Sequence, residues 1–210
     1  MKKKRVVFLD RDGTLNRDVG YPAHWSQVHI YPYAFDAVRT IRKSGLAAVV
    51  ITNQSGVGRG FFNEDELAAL HERFAAAFEE RRAGLDGFFH CPHFSAGPVA
   101  AESDCSCRKP KPGLGVRAAA ELGLDLEGSY MVGDKAADVL FGLNVGAVPV
   151  LVLTGYGPRS LRELEAAGIR PAHVAENVAS AADWIRRRER RPSPGAGHPP
   201  GRGGSGHAQV

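Results

Sequence analysis

Asp10 and Asp12, two positions apart at the end of the apolar run Val6-Val7-Phe8-Leu9, are the first residues of this chain equipped for chemistry. Alternate side chains of an extended strand face the same way, so both carboxylates can point to one side beyond the strand end. Held that close they repel, and the pair calls for a cation between them or a proton on one of them. Gly13 supplies the turn. An isolated Asp-x-Asp is also how a strand enters a solvated acidic loop, so the other polar clusters have to decide. Thr52 ends a second apolar run, Arg108-Lys109-Pro110 precedes a helical stretch, and Gly133-Asp134 ends a further run. A hydroxyl, a lysine and three carboxylates on one rim suit a phosphoryl group with a magnesium ion. The carboxylates of Asp10, Asp12 and Asp134 could hold the ion, while Thr52 and Lys109 bind phosphate oxygens.

The three cysteines form a second constellation, in Cys91-Pro92-His93 and Cys105-Ser106-Cys107. Three thiolates and one imidazole fill the four positions of a closed, structural zinc site. The spacings are tighter than in zinc fingers, and cysteines buried as small hydrophobes are the competing reading. Three cysteines cannot all pair as disulfides. A zinc clamp would tie both ends of the polar loop between Phe94 and Ser103. It would also aim Arg108 and Lys109, which directly follow Cys107.

The elements that must carry these residues alternate. Helical spacing runs from Phe35 to Lys43 and stops at Ser44-Gly45; Leu46 to Ile51 reads as a strand buried on both faces. Asn63-x-x-Glu66 is a capping box opening a helix to about Arg82. Strands follow at Asp86 to His90, Ser129 to Val132 and Val148 to Leu153. Helices are expected at Leu114 to Leu122, Asp138 to Val145, Ser160 to Ala167 and Ala179 to Arg188. The pattern predicts an α/β fold, a doubly wound and mostly parallel sheet with helices on both faces, in which ligands bind beyond the carboxyl ends of the strands. The stretch between Asn16 and Phe35 is too short for a separate cap domain.

The 210 residues carry a formal charge of +4, but six of the arginines lie from Arg186 onward and Lys2 to Arg5 add four more positive charges. The body between Val6 and Ile185 is therefore mildly acidic, which argues against a specific nucleic-acid partner; the tail could hold polyanions weakly. Residues 1–185 are expected to form the catalytic domain and 186–210 a disordered basic tail rich in Pro and Gly. No run is long enough to span a bilayer and no secretory signal is legible, so a cytoplasmic protein is expected. With no leftover apolar stripe, a monomer is expected.

Asp10-x-Asp12-Gly13-Thr14, Thr52-Asn53-Gln54, Lys109 and Gly133-Asp134 resemble, in order, the four motifs of the haloacid dehalogenase-like phosphatases. The resemblance implies a covalent mechanism in which Asp10 attacks phosphorus and Asp12 serves as acid and then base, starting protonated. It also implies magnesium on Asp10, the Asp12 backbone carbonyl and Asp134. Cys-Pro-His, a long loop and Cys-x-Cys-Arg-Lys-Pro, with Asp18-Val19-Gly20-Tyr21 and Thr52-Asn53-Gln54-Ser55-Gly56, look like the branch of D-glycero-D-manno-heptose-1,7-bisphosphate 7-phosphatases. Histidinol-phosphate phosphatases share the zinc clamp and are the close competitor, though with a shorter loop. A phosphorylated sugar is the substrate this implies, contacted by Asp18, Val19, Gly20, Tyr21, Asn53, Gln54, Ser55, Arg108 and Lys135. Arg108 would bind the second phosphate. The arginine-rich tail is not part of the family pattern. A zinc-stabilised binding module without activity is the reading from another class, and the intact Asp10, Asp12, Thr52, Lys109 and Asp134 set argues against it.

Overall fold

The computed structural model describes residues 3–94 and 105–190. Its framework is one six-stranded sheet in the order β3-β2-β1-β4-β5-β6, with every neighbouring pair parallel. The strands are β1 (Lys4–Leu9), β2 (Ala47–Asn53), β3 (Gly87–Cys91), β4 (Leu124–Gly133), β5 (Val148–Val152) and β6 (His173–Ala175). The helices are α1 (Pro32–Lys43), α2 (Glu64–Glu80), α3 (Gly113–Leu122), α4 (Ala136–Asn144), α5 (Gly157–Ala166) and α6 (Val178–Glu189).

Period-two alternation splits β1 between two cores. Val7 and Leu9 pack with α1, α2 and α6 through Val38, Ile41, Phe74, Phe78 and Ile185, all buried. Val6 and Phe8 face Leu114 and Ala118 of α3 and Phe141 of α4. A strand covered on both sides needs a run without polar residues, and β1 and β2 supply one. On α1, Ala34, Ala37, Val38 and Ile41 recur at helical spacing and form the buried stripe. The capping box that opens α2 is present: Asn63 Oδ1 accepts from the Glu66 amide at 2.9 Å, and Glu66 Oε2 accepts from the Asn63 amide at 2.8 Å.

Three details differ from the sequence reading. The sheet has a sixth strand, β6, only three residues long and with His173 at its start. β4 begins earlier than Ser129, at Leu124. Residues 186–190, assigned to a disordered tail by composition, are instead the last turn and cap of α6. That turn is pinned because Glu189 accepts hydrogen bonds from Arg5 and from the Tyr130 hydroxyl, the latter at 2.6 Å. The remainder of the expected tail, 191–210, and most of the loop between Phe94 and Ser103 lie outside the described residues.

Between β1 and α1 the chain makes a small flap closed on itself, with Arg17 N donating to His29 O at 3.0 Å and Tyr31 N to Leu15 O at 3.0 Å. Among the described residues no helix is long and apolar enough to cross a membrane. The strand order reverses direction between β2-β1 and β4, and at such a switch point the loops diverge and leave a crevice beyond the strand ends.

Candidate active site

Asp10 lies at that crevice, immediately after β1, 3 % exposed and with its amide donating to Val132 O of β4 at 2.9 Å. Thr52 is the last residue but one of β2, and Asp134 follows β4. The fourth member, Lys109, comes from the segment between β3 and α3. Asn53 positions it by gripping its backbone at both ends: Lys109 N donates to Asn53 Oδ1 at 3.0 Å, and Asn53 Nδ2 donates to Lys109 O at 3.1 Å. The ammonium donates to Asp10 Oδ1 and to Ile51 O, each at 2.8 Å, and lies 2.6 Å from Asp138 Oδ1.

Two buried carboxylates, Asp10 and Asp138, thus share the Lys109 ammonium, and the Lys135 charge acts on Asp134. Oxygens of Asp10, Asp134 and Asp138 all lie within 4.8 Å of one another. Burial, and then the Asp10 charge, push the Asp134 carboxyl up to about 8. Its Oδ2 accepts from the Tyr156 amide at 2.7 Å, while its buried Oδ1 has no hydrogen-bond partner among the described residues. An orphaned buried carboxylate oxygen facing a second carboxylate fits a divalent cation, whose hard oxygen-ligand preference matches this donor set. Burial works against the Lys109 charge, yet Asp10 and Asp138 together hold the ammonium above its usual range. Gly13, at a φ of 89°, lets the turn after Asp12 pass against Asp134; a Cβ there would overlap the Asp134 carboxylate. Gly155 is excluded from bearing a side chain by the same carboxylate.

Asp12 departs from expectation. Burial favours its neutral form, but the Arg11 charge and hydrogen bonds from Arg11, Asn16 and Gln54 prevail and hold it below the usual carboxylate range. Arg11 Nη2 donates to Asp12 Oδ2 at 2.8 Å, Asn16 Nδ2 to Oδ1 at 2.9 Å, and Gln54 Nε2 to Oδ2 at 2.8 Å. The expectation of a protonated resting Asp12 is therefore corrected. The neighbour that decides is a cation, Arg11, rather than the surrounding negative charge. Gln54 Nε2 also donates to Thr52 Oγ1 at 2.8 Å, so one amide joins the two sides of the rim.

Asp18 Oδ2 accepts from Lys135 Nζ at 3.0 Å, and Asp18 Oδ1 from the Gly20 amide at 2.9 Å. Val19 and Tyr21 are exposed, and the Tyr21 ring meets Phe61 edge-on at 4.9 Å between centroids. Ser55 is buried beside Gln54. Arg108 Nη1 donates to His93 O at 3.0 Å, which turns it toward the cysteine cluster.

In that cluster, ligand atoms of Cys91, His93, Cys105 and Cys107 lie within 4.8 Å of one another. His93 Nδ1 is 3.2 Å from Cys107 Sγ, and Cys91 Sγ is 3.7 Å from Cys105 Sγ. No disulfide links the three cysteines. A soft set of three sulfurs and one imidazole converging on a point is compatible with zinc.

Other residues, which sequence reasoning did not place in the site, belong to its surroundings. Arg11 and His71 form a buried network behind Asp12 together with Gln54, which the sequence had already placed among the substrate contacts. Arg59 bridges the rim, its guanidinium carbon 3.4 Å from the Phe94 ring centroid and 5.4 Å from that of Tyr21. Asp138, in the first turn of α4, pairs with Lys109.

A HAD-hydrolase-like family model matches residues 106–181. Among curated proteins, the chain is similar to the D-glycero-beta-D-manno-heptose-1,7-bisphosphate 7-phosphatase of Pasteurella multocida. The two are 42% identical over 153 residues, covering 72% of this chain and 83% of the relative. The enzyme of the same name from Yersinia pestis is 43% identical over 183 residues, covering 86% and 88% of the two chains. Among solved structures, D,D-heptose 1,7-bisphosphate phosphatase from B. bronchiseptica, complexed with magnesium and phosphate, superposes with a TM-score of 0.77. It is 31% identical and covers 88% of this chain and 99% of its own.

Proposed function

The chain belongs to the D-glycero-D-manno-heptose-1,7-bisphosphate 7-phosphatase family of HAD-like hydrolases, and on that premise we propose that it removes the 7-phosphate of this sugar bisphosphate. The observation that carries the reading is the convergence of Asp10, Lys109 and Asp134 from separate segments, with one Asp134 oxygen left unpaired.

In this reading Lys109 anchors one oxygen of Asp10, which orients the other toward phosphorus. That oxygen forms a bond to phosphorus as the bond to the sugar oxygen breaks, and Asp10 becomes an aspartyl phosphate. Asp12 gives a proton to the departing alkoxide. It then takes one from the water that attacks the aspartyl phosphate, releasing inorganic phosphate and restoring Asp10. The resting, ionised Asp12 is the form suited to that second step. Its acid role begins once the substrate phosphate lies beside it and raises its proton affinity, so that Asp12 takes up from solvent the proton it then gives to the alkoxide. Thr52 and Lys109 bind the non-bridging oxygens, and a distal phosphate meets Arg108.

Asp10, the Asp12 carbonyl and Asp134 would hold magnesium, which when bound offsets the charge of carboxylates and phosphate oxygens. Cys91, His93, Cys105 and Cys107 would hold a structural zinc, stiffening the arm that delivers Arg108 and Lys109. Asp18 to Tyr21, Asn53 to Ser55 and Lys135 frame the sugar.

The test is phosphate release from the heptose bisphosphate compared with histidinol phosphate. The expected result is a strong preference for the former and a loss of at least about a thousandfold in kcat for Asp10→Asn, because the covalent route is removed. Turnover confined to histidinol phosphate would refute the substrate assignment. Equal inertness of wild type and Asp10→Asn on all phosphate monoesters would refute the reaction.

A further inference from the structure

Arg11 lies between Asp10 and Asp12 in sequence, yet its side chain is 1 % exposed and points away from the crevice into the protein. A guanidinium taken out of water is tolerated only when its donors are met, and here each nitrogen has an acceptor. Nε donates to both oxygens of Asp12, at 3.2 and 3.1 Å. Nη2 reaches Asp12 Oδ2 at 2.8 Å and Gln54 Oε1 at 2.9 Å. Nη1 is 3.0 Å from Nε2 of His71, a buried residue of α2.

Each contact fixes the next. An arginine has only donors, so His71 Nε2 must present its lone pair, with any ring proton on Nδ1. Burial first, then the charges of Arg11 and His90, push the imidazole down to about 3, in keeping with a neutral acceptor. The ring is stacked against Phe88 at 5.0 Å between centroids, with 28° between the planes. Arg11, held at that end, sets the orientation of the Asp12 carboxylate. It also decides which way the Gln54 amide faces: with Oε1 accepting from Arg11, Nε2 is left to bridge Asp12 and Thr52 at 2.8 Å each. His71 touches none of the groups assigned to substrate or metal.

We infer that His71 is a positioning residue for phosphoryl transfer, acting through Arg11 to fix Asp12 and Gln54 from the far side of the site. The inference rests on the phosphatase reading above. A spacer that merely filled volume could be any residue of that size; a positioning residue needs an acceptor at the Nε2 point. The experiment compares His71→Leu, which keeps volume without an acceptor, with His71→Gln, whose Oε1 can reach the same point. Both are assayed on the heptose bisphosphate and on p-nitrophenyl phosphate at a temperature where circular dichroism shows them folded.

The expected result is a fall in kcat of roughly tenfold or more for His71→Leu on both substrates, with KM within about twofold, and recovery of most of the kcat in His71→Gln. Equal kcat in wild type and folded His71→Leu overturns the inference, as does a His71→Gln enzyme no better than His71→Leu. Should His71→Leu not fold, His71→Asn replaces it, polar but too short to reach Arg11; a His71→Asn enzyme as fast as His71→Gln overturns the inference in the same way. Activity of wild type on neither ester would instead strike at the phosphatase reading itself.

Discussion

At the scale of single residues, the site is a set of closely matched charges. Asp10 and Asp138 share the Lys109 ammonium, the Lys135 charge acts on Asp134, and Asp12 has its own guanidinium. His71 adds a linkage effect that can be measured. Its native imidazole is pushed down to about 3 from an ordinary 6.5, so between those pH values the unfolded chain takes up a proton that the native chain refuses. The associated stability is fully present above about 6.5 and is lost as pH falls toward about 3, at up to about 1.4 kcal/mol per pH unit. Urea unfolding of wild type and His71→Gln between pH 7 and pH 4 is expected to show the steeper acid decline in wild type. Parallel curves would mean that the buried imidazole carries no such penalty. Arg11 and His71 also mark where sequence reading stopped. An arginine between two aspartates reads as solvated, and a lone histidine on a helix reads as core. Only the tertiary approach of α2 to the turn after β1 makes them partners.

At the scale of elements, what was legible follows from local chemistry. β1 and β2 announced themselves as unbroken apolar runs, and α2 through the Asn63 and Glu66 cap. The ordered motifs placed Asp10, Thr52 and Asp134 at strand ends, because a parallel sheet delivers its carboxyl ends to one edge. β6 was missed because three residues with a histidine among them carry no pattern of their own. Its pairing with β5 is a tertiary event, with Leu151 opposite Val174. The cysteine arm was legible as a cluster, and so was its link to Arg108 and Lys109, which directly follow Cys107; the Arg108 hydrogen bond to the His93 carbonyl was not. That coupling gives a prediction for the element. Cys107→Ser, or stripping by a strong chelator followed by magnesium alone, is expected to abolish zinc in elemental analysis. It should also lower kcat/KM on the bisphosphate by about tenfold or more, since loss of a ligand releases the segment carrying Arg108 and Lys109. Full activity in zinc-free protein would separate the arm from catalysis.

For the whole molecule, the proposed reacting groups stand on the ends of the central strands, and the chain after α6 adds none of them. A variant ending at Arg190 is expected to keep kcat and thermal midpoint within about 2 °C of the full chain, because Glu189, the last residue seen to anchor the body, is retained. A loss of several degrees would show that residues beyond 190 stabilise the domain. The rim obeys a different logic. Arg59, stacked between Phe94 and Tyr21, ties the flap after β1 to the cysteine arm, so the parts that would meet the sugar are joined to each other above the sheet. Such a division makes the enzyme modular for an engineer. Flap and arm could be transplanted together from a relative with another appetite, and the hydrolytic engine beneath would go on cutting whichever ester the new mouth admits.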